Sequence, residues 1–226
     1  MLNLEAVMIS KTHVRLASEA DVEFIIETII EAEKSGTQTI SYCHIFGLKE
    51  EEFRKILHNI IDEDYDGQEF CKSGYMVAEV DGQLAGAACG WIEGETGLES
   101  NIIKANLLHH FLQPEELQNA TRWSGILEKL HIPREKNTLQ LESIYVREGF
   151  RGKGIISMVL TEQMKRLRKI HPSVSKAQII LADSNKSALT AYSELGFELF
   201  QKRSTQDVNV LRILPCDTKI LLEKKL

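Results

Sequence analysis

The stretch of this sequence best suited to chemistry is Arg151-Gly152-Lys153-Gly154. It stands between a strand-like run, Leu139 to Val146, and a helix-like pattern whose apolar positions are Ile156, Val159, Leu160, Met164 and Leu167. A loop at a helix N-terminus directs unpaired backbone N–H groups and the positive end of the helix dipole at one point, which suits phosphate. Gly152 and Gly154 let the backbone come close to an anion, Arg151 adds a delocalised cation, and Lys153 offers a second. A glycine pair is also what a tight strand-to-helix connection needs, so the loop alone leaves both readings open.

Two familiar phosphate loops are excluded by spacing. In G-x-x-x-x-G-K-[ST] a hydroxyl must follow Gly-Lys to reach magnesium, and here Gly154 follows instead. In G-x-G-x-x-G the third glycine position is occupied by Ser157.

The whole chain sets the frame for this loop. With 27 Lys plus Arg against 33 Asp plus Glu, the formal charge is −6, which argues against a nucleic-acid partner and is ordinary for a soluble protein. At 226 residues the chain is long enough to bury one substantial core. Cys43, Cys71, Cys89 and Cys216 are scattered, with no C-x-x-C pair and no His at ligand spacing, so reduced thiols and no metal are expected. The first ten residues, MLNLEAVMIS, contain Glu5 and no basic segment, and no apolar run reaches membrane-spanning length. A soluble, cytoplasmic protein without membrane contact is expected.

The elements that must position the loop are legible in the periodicity. His13 to Leu16 reads as a first strand, and Ser18 is placed to cap a helix carrying Val22, Ile25, Ile26, Ile29 and Ile30 on one face. A second helix, from about Leu48 to Ile61, begins with the acidic run Glu50 to Glu52, suited to its dipole. Tyr75–Val80 and Leu84–Trp91 flank Asp81-Gly82-Gln83, a hairpin signal. Residues 95–137 read as a helical insertion, with helices near Ile102 to Leu112, after Pro114, and from Trp123 to Leu130. The insertion is too short and too loosely patterned to form its own core, so one domain over residues 1–226 is expected. His109 and His110 within it either line an acceptor pocket or decorate a helix surface. Lys165, Arg166, Arg168 and Lys169 match the C-terminal end of the helix after the glycine loop. Strands follow at Gln178 to Ala182, Phe197 to Lys202 and Lys219 to Glu223, with an Asn185-capped helix that ends at Gly196.

Two blocks in this order resemble the GNAT acetyltransferase superfamily. Arg151 to Gly154 fits the start of Q/R-x-x-G-x-G/A after a strand, departing at Ile156 where the family has Gly or Ala. Asn185, Ala188, Tyr192, Gly196 and Phe197 fit N-x-x-A-x-x-x-Y-x-x-x-G-F on the later helix. Taken singly, Asn185 is equally an N-cap, Tyr192 a core aromatic and Gly196 a C-cap. The resemblance covers residues 138–224 well and 12–93 loosely, and it leaves the insertion unexplained.

The resemblance implies an α+β fold. Its sheet is central, twisted and mostly antiparallel with splayed middle strands, helices lie on both faces, and a helical insertion precedes the fourth strand. It implies acetyl-CoA as co-substrate, without metal, between the strands Leu139–Val146 and Gln178–Ala182. Arg151, Gly152, Lys153 and Gly154, with Ile155 and Ile156, would then meet the pyrophosphate. Ile144, Tyr145 and Val146 would meet the pantetheine arm and acyl oxygen, beside Asn185 and Tyr192. Tyr192 is implied as general acid to the departing thiolate. Glu142 is implied as the base, its alternative being a solvated or salt-bridged strand carboxylate. The expected activity is N-acetyl transfer to a primary amine of a small molecule or protein, by direct attack in a ternary complex. The small molecule is the favoured acceptor, and the acidic balance permits a homodimer as well. The alternatives are an acyl-CoA-binding module without turnover and a transferase with a longer acyl donor.

Overall fold

The computed structural model describes residues 12–226, so the reading of MLNLEAVMIS lies outside the described residues. Seven strands form one sheet in the order β1-β2-β3-β4-β5-β7-β6: β1 (Thr12–Leu16), β2 (Tyr75–Val80), β3 (Gln83–Ile92), β4 (Leu139–Val146), β5 (Lys176–Ala182), β6 (Glu198–Ser204) and β7 (Thr218–Lys225). Every neighbouring pair is antiparallel except β4 and β5. The β2–β3 hairpin turns at Asp81 and Gly82, with φ of 51° and 80°, the left-handed pair whose twist matches the flanking strands.

Over β2 to β4 both faces of the sheet are covered, and these strands carry no charge besides Glu79 and Glu142, whereas β6 is exposed and charged. On one face α1 (Val22–Lys34) and α3 (Glu50–Glu63) bury Ile25, Ile29, Phe53, Leu57 and Ile60 against Tyr75, Val77, Ala87, Cys89 and Trp91. On the other, α7 (Ile155–Ile170) lays Val159, Leu160 and Met164 on Ala78, Ala88, Leu139 and Leu141. Alternation along β3 divides its residues between the two cores. Ser18, expected to cap α1, instead precedes a short 3-10 turn, Glu19–Asp21, and Asp21 holds the N-cap position of α1; the Ser18 N–H and hydroxyl both donate to Asp21 Oδ2, at 2.7 and 2.8 Å. A short helix absent from the sequence reading, α2 (Ser41–Phe46), packs beside α3.

The insertion folds as α4 (Ser100–Phe111), α5 (Pro114–Thr121) and α6 (Ser124–Lys129). Its buried Leu108, Leu112 and Leu130 join the α1–α3 core and form no separate one. His109 and His110 are exposed at the end of α4.

One discontinuity shapes the molecule. β4 and β5 pair only at Leu139 with Ala177 and Gln140 with Gln178. Ser143 then takes a φ of 47°, and the β3–β4 register shifts between Ala87 and Cys89. That bulge bends β4 away, so its edge toward β5 is unpaired beyond Gln140. The buried amides of Gln140 and Gln178, 2.8 Å apart, pin the apex of the opening.

Candidate active site

A groove of about 420 Å³ runs from the glycine loop to the opening between β4 and β5. Its floor is the loop itself. Gly152 and Gly154 hold φ of 73° and 72°, and an added Cβ at either would meet nothing within 4 Å, so glycine serves backbone conformation there and not close packing. Among the described residues, the N–H groups from Gly152 to Ser157 donate to no protein acceptor, the first inward bond of α7 being Met158 N–H to Gly154 O at 3.1 Å. This is a row of amides at a helix N-terminus, converging where an anion is favoured.

The Arg151 amide does not share this freedom. It donates to Glu148 O at 3.2 Å, closing the turn before the loop, and the Arg151 Nε donates to Val146 O at 3.1 Å. Lys153 folds back, its Nζ donating to Gly149 O at 3.0 Å over the Phe150 ring, and its side chain does not line the groove. Ile156 contributes a free amide and a wall of the groove, with its side chain also packed on the α7 core.

The two walls are β4 and α8 (Lys186–Glu194). Ile144, Tyr145 and Val146 line one side, and Asn185, Ala188 and Tyr192 the other. Asn185 caps α8 by accepting from Ala188 N–H at 3.2 Å, and its Nδ2 donates to Ser35 Oγ at 3.2 Å, tying α8 to the end of α1. Tyr192 is 6% exposed, edge-on to Phe197, and its hydroxyl has no hydrogen-bond partner among the described residues. Burial alone pushes its phenol well above the usual tyrosine range.

Tyr192 and Ile144 also line a gap of about 120 Å³ at the opening, where Glu142 enters. Beyond it lies a chamber of about 330 Å³, bordered by α2, the insertion and the segment before β7. Groove, gap and chamber lie in succession along the opening between β4 and β5, and neighbouring compartments share wall residues: Tyr192 and Asn185 first, Glu142 and Glu69 next.

A carboxylate pair dominates the gap. Glu69 accepts from Lys104 Nζ and from the Tyr42 hydroxyl, the latter at 2.9 Å, while Glu142 accepts from Arg134. Burial raises the Glu69 carboxyl, but the Lys104 cation and hydrogen bonding outweigh it and hold the group down to about 2. Burial raises Glu142 too, and the neighbouring Glu69 charge adds to that against Arg134, leaving it pushed up to about 7. Two adjacent carboxyls thus sit in different protonation regimes.

A sequence profile of the Acetyltransferase (GNAT) family matches residues 42–197. The chain belongs to this GNAT family. Solved structures share the fold. An N-acetyltransferase from Staphylococcus aureus Mu50 superposes with a TM-score of 0.62 at 19% identity, covering 94% of this chain and 100% of that one. The ribosomal-protein-alanine N-acetyltransferase of Brucella melitensis gives 0.53 at 18% identity, covering 95% and 99%. The yncA protein of Salmonella typhimurium, solved with its cofactor acetyl-CoA, gives 0.53 at 14% identity, covering 95% and 94%. No curated protein is significantly similar in sequence.

Within the GNAT frame, the groove gathers the loop, β4 and α8 residues that the sequence singled out, and Glu142 stands at the gap. Sequence reasoning missed Glu33, Tyr42, Glu69, Lys104, Arg134 and Lys219, which line the chamber. They come from α1, α2, an unpatterned loop, the insertion and β7, and no local spacing links them. Among the described residues no group of three or more His, Cys, Asp or Glu is arranged to hold a metal ion, and no helix is long and apolar enough to cross a membrane.

Proposed function

We propose that this chain is an N-acetyltransferase that moves the acetyl group of acetyl-CoA to a primary amine of a small molecule, by direct attack within a ternary complex. The observation that carries the reading is the succession of groove and gap at the opening between β4 and β5, with unpaired amides at one end and a carboxylate pair at the other.

The groove fits coenzyme A in shape and in donors. The amides of Gly152 to Ser157 hold the pyrophosphate with Arg151, and the unpaired edge of β4 from Ile144 to Val146 receives the pantetheine arm and steadies the acyl oxygen. When bound, acetyl-CoA supplies an acyl group activated as a thioester.

Glu142 takes the proton that must leave the incoming ammonium, a task matched by a carboxyl pushed up to about 7. The nitrogen bonds to the acetyl carbon as the C–S bond breaks, the second nitrogen proton leaves to solvent, and Glu142 afterwards gives its own proton to solvent. Tyr192, kept protonated by burial, supplies the proton to the departing sulfur and recovers one from solvent. No cysteine suits a covalent route: burial pushes Cys43 up to about 11 and Cys71 up to about 12, and raises Cys89 and Cys216 as well.

Replacing Tyr192 by Phe tests the reading. The variant is expected to lose roughly 10²-fold in kcat with unchanged acetyl-CoA affinity. A binding module would show no amine-dependent CoA release in the unmodified protein. A larger thermal shift with a longer acyl-CoA than with acetyl-CoA would reassign the donor.

A further inference from the structure

Gap and chamber differ in the charges that line them. The gap is lined by Glu33, Glu69 and Glu142 and by no Lys or Arg. Lys104, Arg134 and Lys219 join only in the chamber beyond. Two of these cations are engaged: Lys104 with Glu69 and Arg134 with Glu142. Lys219, on β7, has no carboxylate within ion-pair distance among the described residues. The Nε of Arg134 is buried and donates to nothing. The chamber therefore sets its cations among the carboxylates, Arg134 on Glu142, Lys104 on Glu69 and Lys219 near enough for its charge to act on Glu33, and of the three Lys219 alone forms no ion pair among the described residues.

Resting on the N-acetyltransferase reading, we infer that the acceptor is a zwitterion of amino-acid size. Its primary amine lies toward Glu33, Glu69 and Glu142, and its carboxylate is received by Lys219. The volume of about 330 Å³ is at the small end of ligand pockets and suits a single amino acid. A diamine would place its second cation against Lys219, a like-charge contact that selects against it. A protein N-terminus would bring a neutral peptide carbonyl where the chamber offers cations. The transfer yields an N-acetyl amino acid, CoA and one proton from the ammonium form.

The test compares amino acids without a charged side chain with the amines formed by removing their carboxylate, leucine against 3-methylbutylamine and phenylalanine against 2-phenylethylamine, in a CoA-release assay. The amino acid is expected to win by about tenfold or more in kcat/KM, because a site built to pair a group rejects the analogue lacking it. Lys219→Gln is expected to raise KM for the amino acid until that advantage is lost, while the acetyl-CoA thermal shift shows the variant still folded. The inference is overturned if the decarboxylated amines are used equally well or better, or if Lys219→Gln keeps the preference. Absence of any acetyl-CoA thermal shift in the unmodified protein overturns the transferase reading itself, and this inference with it.

Discussion

The Arg134 guanidinium donates to the Glu142 carboxylate, joining the end of the helical insertion to the central strand of the sheet. Each side chain is 14% exposed, and the guanidinium lies 5.4 Å from the centroid of the Trp91 ring. A cation from the insertion thus opposes the burial that raises Glu142, and the proton affinity of that carboxyl depends on a segment outside the usual secondary-structure pattern of the sheet.

That relationship predicts the pH profile. With Glu142 as the base, kcat/KM for the amine rises with pH through an inflection near 7, where the carboxyl gives up its proton. Arg134→Ala removes a charge that favours the carboxylate, so the inflection moves to higher pH. Glu142→Gln abolishes it and lowers kcat by roughly 10²-fold. Initial rates from pH 5 to 9 check all three.

Stability should follow pH with two opposite signs. Glu69 is held at about 2 against an ordinary 4.5, so its contribution is complete above 4.5 and is lost as pH falls toward 2. Glu142 is raised to about 7, so its contribution is present below 4.5 and is lost as pH rises through 7. Urea unfolding of Glu69→Gln at pH 5 and pH 3 should show a smaller loss on acidification than the unmodified protein.

Gly154 should matter to cofactor affinity through backbone conformation alone. Its φ of 72° is strained for any residue with a Cβ, yet the space around it is open. Gly154→Ala is expected to cost about 1–2 kcal/mol in the loop conformation, roughly tenfold in acetyl-CoA affinity by calorimetry.

Gly90 is the contrasting case. A Cβ there would lie 2.8 Å from Gln163 Cγ and 2.5 Å from Gln163 Nε2, which donates to Gly74 O at 2.7 Å. Gly90→Ala forces the helix from the sheet or breaks that buried hydrogen bond, and should destabilise the fold by about 1–3 kcal/mol in urea unfolding.

The parts of the molecule legible in the sequence are those written in consecutive residues. The Asp81-Gly82 turn, the loop before α7 and the Asn185 cap each depend on local backbone geometry, and the structure places each element where the pattern expects it. The helix Ser41–Phe46 escaped because six residues cannot display a helical period. The chamber escaped for a different reason. Glu33, Glu69, Arg134 and Lys219 are brought together only by the packing of α1, a loop, the insertion and β7, and in sequence each resembles a solvated surface charge. Lys153 shows the converse, a cation beside the loop in sequence whose side chain turns onto Phe150.

The most direct measurement of the central claim is the initial rate of CoA release with acetyl-CoA and an amine varied together. Direct attack in a ternary complex predicts release that requires the amine, with intersecting double-reciprocal lines and a mass gain of one acetyl group on the acceptor. Parallel lines, the mark of a covalent acetyl-enzyme, or no amine-dependent release with any acceptor despite acetyl-CoA binding, would contradict it.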